Sequence, residues 1–226
     1  MFKKYWKFFV IFWSVVLVGI IGVFVFFWLI SAGKLGFMPT FEELENPNNR
    51  FASEVYFADG PIMNRYFEKE NRKYIEYREI PQSVIDALIA TEDVRFYDHS
   101  GVDVRGLFRV AKGLLTANTS AGGGSTISQQ LAKMLFPRES DLNVFELAIR
   151  KFREWVIAVR LEKSYTKEEI LTMYLNKYDF LNLAVGISSA ADIYFQVPLD
   201  SLKVEQAAML IGMAKNSSYY NPVRRP

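Results

Sequence analysis

The chain has 226 residues, and half of them are apolar, which is enough to form a hydrophobic core for one domain with an appendage. Its formal net charge of +2 produces no overall field that would favour nucleic acid as a partner. It contains no cysteine, which excludes a disulfide framework and thiol catalysis.

The N-terminus predicts a membrane anchor. The basic segment MFKKYWK precedes Phe8–Ile30, an uncharged stretch in which Ser14 is the single polar side chain. About 20 apolar residues span a bilayer, whereas a signal peptide has a core of about 7–15 residues and a small-residue cleavage site. The following SAGKLG is a poor cleavage site, so we expect a retained helix with its lysines on the cytoplasmic side.

The segment after the anchor predicts a juncture and a β-hairpin. Glycine, proline and acidic residues are frequent just after the anchor, and ASEVYFADGPIMNRYF then alternates around Asp59 and Gly60. We therefore expect a cytoplasmic tail, a transmembrane helix, a juncture with a hairpin, and one catalytic domain, over residues 1–7, 8–30, 31–67 and 68–226 respectively.

From Ile80 onward the pattern is helical. Pro81 suits a helix start, and VRGLFRVAKGLLTA has apolar residues at close to helical spacing. After the small-residue loop NTSAGGGS, Thr126 with Gln129 three residues on predicts a capping box for the next helix.

The longest amphipathic segment is NVFELAIRKFREWVIAVRLEKSY. It predicts a helix with an adjacent stripe of Leu147, Lys151, Glu154 and Ala158 at the edge of its buried face, and with a core stripe formed by Phe145, Ile149, Phe152, Val156 and Val159. Thr166 is the predicted cap of KEEILTMYLN, and LAVGISSAADIYF and KVEQAAMLIGMAK are two more helical stretches. The extramembrane part is therefore predicted to be mainly α.

The stretch ATEDVRFYDHSG ends a predicted helix in titratable groups. It holds Glu92 and Asp93 side by side and His99, the single histidine of the chain. Negative charge nearby and partial burial are the conditions that tune a carboxylate for acid or base catalysis. A solvated helix end is the alternative, and composition alone favours it; a lone histidine is also more often structural than catalytic.

Five motifs, in order, resemble those of the family 51 peptidoglycan glycosyltransferases, the domains that open the class A penicillin-binding proteins. They are TEDVRFYDHSG, GGSTISQQLAK, RKFRE, KEEILTMYLN and AAMLIGMAKNSSYYNP, and the resemblance runs from about Ser53 to the end of the chain. The chain departs from the family after Asn176, where an aromatic-glycine run is common, and around MAKNSS, where a common proline is absent.

The resemblance implies a lysozyme-like helical fold with a small apolar lobe, the jaw, partly in the membrane. It implies polymerisation of lipid II at the outer face of a bacterial inner membrane, with inversion at C1 and release of undecaprenyl diphosphate. The jaw candidates lie between Leu107 and Leu115 and around Met134, Leu135 and Phe136, and each is equally well interpreted as core.

The resemblance also assigns roles to residues. Glu92 is the expected general base, with Asp93 and His99 in secondary roles. Glu154 is the expected second catalytic acid, near a divalent cation such as Mg²⁺ that accompanies the diphosphate; an exposed ion-pair lattice is its alternative. The remaining expected substrate contacts are Phe96, Ser125, Thr126, Gln129, Gln130, Lys133, Arg150, Lys151 and Asn176.

The expected partners are lipid II, the growing glycan strand, membrane lipid and cell-wall synthesis proteins. Because the sequence stops just after the last motif, we expect a transpeptidase domain to follow in a longer protein. Two other functions stay open at this point: a lysozyme-like enzyme that cleaves glycan, and a non-catalytic membrane scaffold. A glycan-cleaving enzyme would not need the residues expected around the diphosphate. A scaffold would not need Glu92 and Glu154.

Overall fold

The fold is mainly helical, in agreement with the sequence. The computed structural model describes residues 2–40, 53–56, 62–66, 73–116, 123–136, 143–217 and 219–224. Within them lie eight α-helices and one pair of short strands. The bounds of the helices are α1 Phe2–Ser31, α2 Gln82–Glu92, α3 Val104–Leu115, α4 Ile127–Leu135, α5 Val144–Ser164, α6 Lys167–Lys177, α7 Ile187–Phe195 and α8 Val204–Lys215.

Helix α1 contains the predicted span. The part from Tyr5 to Ser31 is long and apolar enough to cross a membrane, and its side chains are mostly exposed in the isolated chain. A helix with apolar side chains on all sides and no protein around them is suited to lipid. The helix continues one residue beyond the predicted end at Ile30.

Strands β1, Ser53–Tyr56, and β2, Ile62–Tyr66, pair antiparallel. Ser53 lies opposite Tyr66, and the register shifts between Val55 and Tyr56. The predicted turn at Asp59 and Gly60 lies outside the described residues. The predicted hairpin as a whole therefore stays a prediction.

The core of the body lies among α2 and α4 to α8. Helix α2 packs on α8, and α4 packs on both α5 and α6. The largest fully buried side chains are Tyr174, Phe96, Phe180, Ile75, Leu88, Ile127, Leu131, Leu161, Ile170 and Leu171. Pro81 precedes α2, and Thr166 caps α6 in a closed capping box with Glu169, as predicted.

The predicted core stripe of α5 is wrong, because the buried side chains lie on the neighbouring face of the helix. Phe145 is 71% exposed, and the buried residues of α5 are Arg153, Glu154, Ile157, Ala158 and Leu161. The reason is that α5 packs on α4 with one side and on α1 with another. Periodicity detected apolar side chains that belong to the side facing the anchor, such as Phe152.

The end of α1 docks on α5. The ring of Phe152 lies 5.3 Å from that of Phe26 and 5.7 Å from that of Phe27, both edge to face. Arg160 donates hydrogen bonds to the carbonyl oxygens of Ser31 (2.8 Å) and Pro39 (3.0 Å). Apolar packing and two hydrogen bonds from one guanidinium group therefore join the end of the anchor to α5.

The two jaw candidates differ in exposure. In α3, Phe108 is 73% and Leu115 is 89% exposed, so these side chains are not core. By contrast, Met134, Leu135 and Phe136 are partly buried and pack against the core. The face of α3 is thus the better candidate for lipid contact.

Candidate active site

A cleft of about 550 Å³ opens at the end of α2. Its walls come from the end of α2 and the loop after it, from α3, from residues 123–126, from α4 and from the end of α8. Five predicted site residues line it together: Glu92, Asp93, Ser125, Thr126 and Gln130. Residues that are far apart in sequence therefore meet at one concave surface, as a small-molecule site requires.

Glu92 is the last residue of α2 and is held by one of its two oxygens. Its Oε2 accepts a hydrogen bond from Nε2 of Gln130 at 2.7 Å. Its Oε1 is buried and has no hydrogen-bond partner among the described residues. The bond from Gln130 therefore fixes the orientation of the Glu92 carboxylate at the wall of the cleft, as a base for a bound hydroxyl requires.

Asp93 stabilises the wall of the cleft by hydrogen bonds to residues behind it. It is 6% exposed and accepts hydrogen bonds from Nε2 of His99 (3.0 Å) and from the backbone N–H of Ile127 (3.1 Å). The Nδ1 of His99 accepts from the N–H of Gly101, so the imidazole proton lies on Nε2, toward Asp93. These bonds tie the loop after α2 to the N-terminus of α4, and His99 serves in this support.

The predicted capping box at Thr126 is only half formed. Thr126 accepts from the N–H of Gln129, as an N-cap does, but the side chain of Gln129 turns away and donates to the carbonyl oxygen of Gly101. The hydroxyl of Thr126 donates to the same oxygen at 2.7 Å. Gln129, with 1% of its surface exposed, is therefore a buried tie and does not line the cleft.

Lys151 and Glu154 are connected to the cleft by Ser125, which lines it. The ammonium group of Lys151 donates to Oε2 of Glu154 at 2.7 Å and to Oγ of Ser125 at 3.0 Å. Glu154 is 9% exposed, so the pair is more than an exposed ion-pair lattice. The two remaining predicted cations lie outside the cleft lining: Lys133 is exposed on α4 and Arg150 is half-buried on α5.

The structure places Phe96 and Asn176 in the framework of the fold. Phe96 is fully buried, with the ammonium of Lys167 4.2 Å above its ring. The amide of Asn176 accepts from the N–H of Ile75 and donates to the carbonyl oxygens of Ile75 and Thr172. Neither residue lines the cleft, so their predicted substrate contacts are not part of this geometry.

Charged residues that sequence reasoning missed also line the cleft. They are Arg95, Asp103, Arg109 and Lys215. Arg95 forms a salt bridge with Asp103, and this hydrogen bond is the largest cause that holds the pKa of Asp103 below its usual range. Arg95 and Lys215 lie inside motifs, but their charge alone did not distinguish them from solvated surface residues.

A metal site is not preformed in the described part of the chain. No group of three or more histidine, cysteine, aspartate or glutamate side chains lies close enough there to hold an ion. Glu154, the predicted ligand, already pairs with Lys151. A single carboxylate is a sufficient protein ligand for Mg²⁺ only when substrate phosphates and water supply the rest of the shell.

Comparison with known proteins identifies the sequence family. The family described as Transglycosylase matches residues 59–226. Penicillin-binding protein 1A of Escherichia coli (strain K12) is 37% identical over 186 residues, 82% of this chain and 21% of that protein. The protein of the same name from Pseudomonas aeruginosa is 38% identical over 84% of this chain, and that from Neisseria gonorrhoeae is 36% identical over 84%. The chain spans about a fifth of the length of these relatives.

Proposed function

Because the chain belongs to the transglycosylase family, we propose that it is a membrane-bound peptidoglycan glycosyltransferase. It polymerises lipid II into glycan strands and releases undecaprenyl diphosphate. One observation carries this proposal: Glu92 lies in the cleft with Oε2 held by Gln130 and Oε1 without a partner in the described residues. Ser125, which lines the same cleft, reaches the Lys151–Glu154 pair.

The reaction is a direct displacement. Glu92 removes the proton from the 4-hydroxyl of the acceptor sugar while that oxygen bonds to C1 of the donor sugar. The bond between C1 and the diphosphate oxygen breaks, and its electron pair leaves with the diphosphate. Attack from the opposite face converts the α linkage of the donor into a β linkage.

Positive charge must lie where the diphosphate leaves. Lys151 is in place through Ser125, and Arg109 and Lys215 line the cleft as well. Lys133 and Arg150 lie outside the cleft lining, and in this proposal they contact a substrate that extends beyond the cleft. Glu154 is the carboxylate that would hold a divalent cation accompanying the diphosphate, and such an ion would supply further positive charge to the leaving group.

The membrane setting follows from the lipid tail of the substrate. Helix α1 anchors the domain as a single span with its N-terminus cytoplasmic, in a bacterial inner membrane. The proposed domain has a lysozyme-like body from residue 68 onward and a membrane-proximal jaw that includes the exposed face of α3. As a segment of a longer class A penicillin-binding protein, it is followed by a transpeptidase domain and works with other cell-wall synthesis proteins.

Glu92→Gln tests the proposal. The amide keeps the size of the side chain and removes the base, so lipid II polymerisation should fall by about 10² or more. The measurement is polymer formed from labelled lipid II, with the melting curve as a check on folding. Near-normal polymer from a folded Glu92→Gln protein contradicts the assigned base, and cleavage of finished glycan by the unaltered protein contradicts the reaction.

A further inference from the structure

Tyr174 is a buried phenol whose hydrogen bond leads into the cleft. It lies in α6, has none of its surface exposed, and does not line the cleft. Its hydroxyl donates to Oε1 of Gln130 at 3.0 Å. A buried hydroxyl needs a partner, and this one is the side chain that holds Glu92.

The hydrogen bond from Tyr174 determines which way the Gln130 amide faces. With Oε1 occupied by the phenol, Nε2 points to Glu92 and donates to its Oε2 at 2.7 Å. A flipped amide would set its carbonyl oxygen against the carboxylate, and two acceptors repel each other when no proton lies between them. The order of the chain is therefore phenol, amide, carboxylate, with each donor facing an acceptor.

Burial keeps Tyr174 able to donate. It raises the pKa of the phenol above its ordinary value, and the negative charge of Glu92 and the neighbouring Tyr178 add to the effect. The hydroxyl therefore holds its proton throughout the pH range in which an enzyme of this kind works.

We infer that Tyr174 is a positioning residue for the general base, acting through Gln130. It rests on the proposed function, because Glu92 needs a fixed orientation only if it takes a proton from substrate. The Tyr174–Gln130 bond holds the amide that binds Oε2 of Glu92, and so fixes the orientation of the carboxylate that takes the proton from the sugar hydroxyl. A correctly oriented base contributes to kcat, and Tyr174 has no surface in the cleft through which to affect substrate binding.

Tyr174→Phe removes the hydroxyl and keeps the ring. We expect kcat for lipid II polymerisation to fall roughly tenfold, the effect of one lost hydrogen bond, with KM unchanged. The other groups around Glu92, namely Asp93, Arg95, Asp103, Arg109, Lys215 and Tyr178, are the same in both proteins.

Tyr178→Phe is the matched control. Tyr178 stacks on Tyr174 with ring centres 5.7 Å apart, and burial raises its pKa to about 12. Its hydroxyl, however, faces the backbone oxygens of Met213 (3.3 Å) and Ala214 (3.1 Å) and has no bond to Gln130. Tyr178→Phe therefore removes a partly buried hydroxyl beside Tyr174, and we expect kcat and KM to stay as they are.

A double variant separates positioning from packing. In a Gln130→Met background the relay is already broken, so adding Tyr174→Phe should change kcat by less than about twofold. Independent losses that multiply would overturn the inference. So would equal effects of Tyr174→Phe and Tyr178→Phe, a loss that appears in KM and not in kcat, or a Tyr174→Phe protein that fails to fold, which would assign the hydroxyl to stability.

The inference and the proposed function fail in different experiments. If Glu92→Gln polymerises normally, the assigned base is wrong whatever Tyr174 does. If Glu92→Gln is inactive and Tyr174→Phe keeps the kcat of the unaltered protein, the assignment of the base stands and the positioning role is overturned.

Discussion

At the scale of single residues, the pairing of Lys151 with Glu154 separates a functional carboxylate from a surface ion pair. Glu154→Gln should disable polymerisation, because Lys151 loses the carboxylate that directs its ammonium beside Ser125. Stability should change by less than about 1 kcal/mol, as for a partly exposed pair. Turnover and melting temperature, measured on one preparation, test both statements.

The exposed pair of Glu76 and Arg78 provides the control for Glu154→Gln. Glu76→Gln removes an ion pair of similar length, 2.8 Å, at a position outside the cleft lining. It should leave both turnover and melting temperature unaltered. Normal turnover of Glu154→Gln would return Glu154 to the ion-pair interpretation.

The lowered pKa of Asp103 predicts the direction in which the stability of the protein changes with pH. Arg95 lowers the pKa of Asp103 in the folded protein, so this pair adds stability above the unfolded value of about 3.9. That stability is lost as the pH falls through the folded value. The melting temperature of Asp103→Asn should therefore be lower than that of the unaltered protein at pH 6. The difference between the two melting temperatures should become smaller below about pH 4. A difference that is constant over this range would contradict the assignment.

At the scale of elements, Gly101 is the point at which the loop after α2 crosses α5. Its φ is +95°, and an added Cβ would lie 2.8 Å from the backbone of Ala158, which cannot move aside. Gly101→Ala should lower the free energy of unfolding by about 2 kcal/mol or more. Gly123→Ala, where a Cβ meets no atom of the described residues within 4 Å, is the control and should be nearly neutral in a denaturant titration.

The sequence predicted the helices better than the directions of their side chains. Local signals are sufficient for Pro81 before α2 and for Thr166 at the cap of α6, because a cap depends on residues within one turn. The buried face of α5 depends on two neighbours, α1 and α4, and the periodicity of one helix cannot tell which neighbour covers which face.

The same limit applies to the candidate site. The resemblance to the family motifs predicted Glu92, Ser125 and Gln130 as site residues, and these three do line one cleft. It also assigned substrate contacts to Asn176, whose amide is instead bonded to the backbone of Ile75. A side-chain amide can form hydrogen bonds with a sugar or with a backbone peptide group equally well. Only the packing of α6 decides which of the two Asn176 binds.

At the scale of the whole molecule, the exposed face of α3 is the feature that tests the jaw. A chain that begins at Phe26 keeps the docked turn of α1 and lacks the span. We expect it to fold and to bind anionic liposomes weakly. Leu115→Ser should reduce that binding several-fold and leave stability unchanged, because Leu115 is 89% exposed.

Leu131→Ala is the control for a core position. Leu131 is fully buried in α4, so this change should lower stability by about 2–5 kcal/mol. A loss of that size for Leu115→Ser would place Leu115 in a core instead. Unchanged liposome binding by a stable Leu115→Ser protein would reject α3 as a lipid contact.

The docking of α1 on α5 has a consequence for how enzyme and substrate meet. A flexible tether of ten residues would let the cleft drift by about 17 Å. The contacts of Phe152 and Arg160 remove that drift, so the proposed enzyme keeps its cleft at one height above the bilayer. Its substrate is confined to the same plane by its lipid tail. Encounters between the two then become a search in two dimensions, in which lateral diffusion and surface density replace bulk concentration.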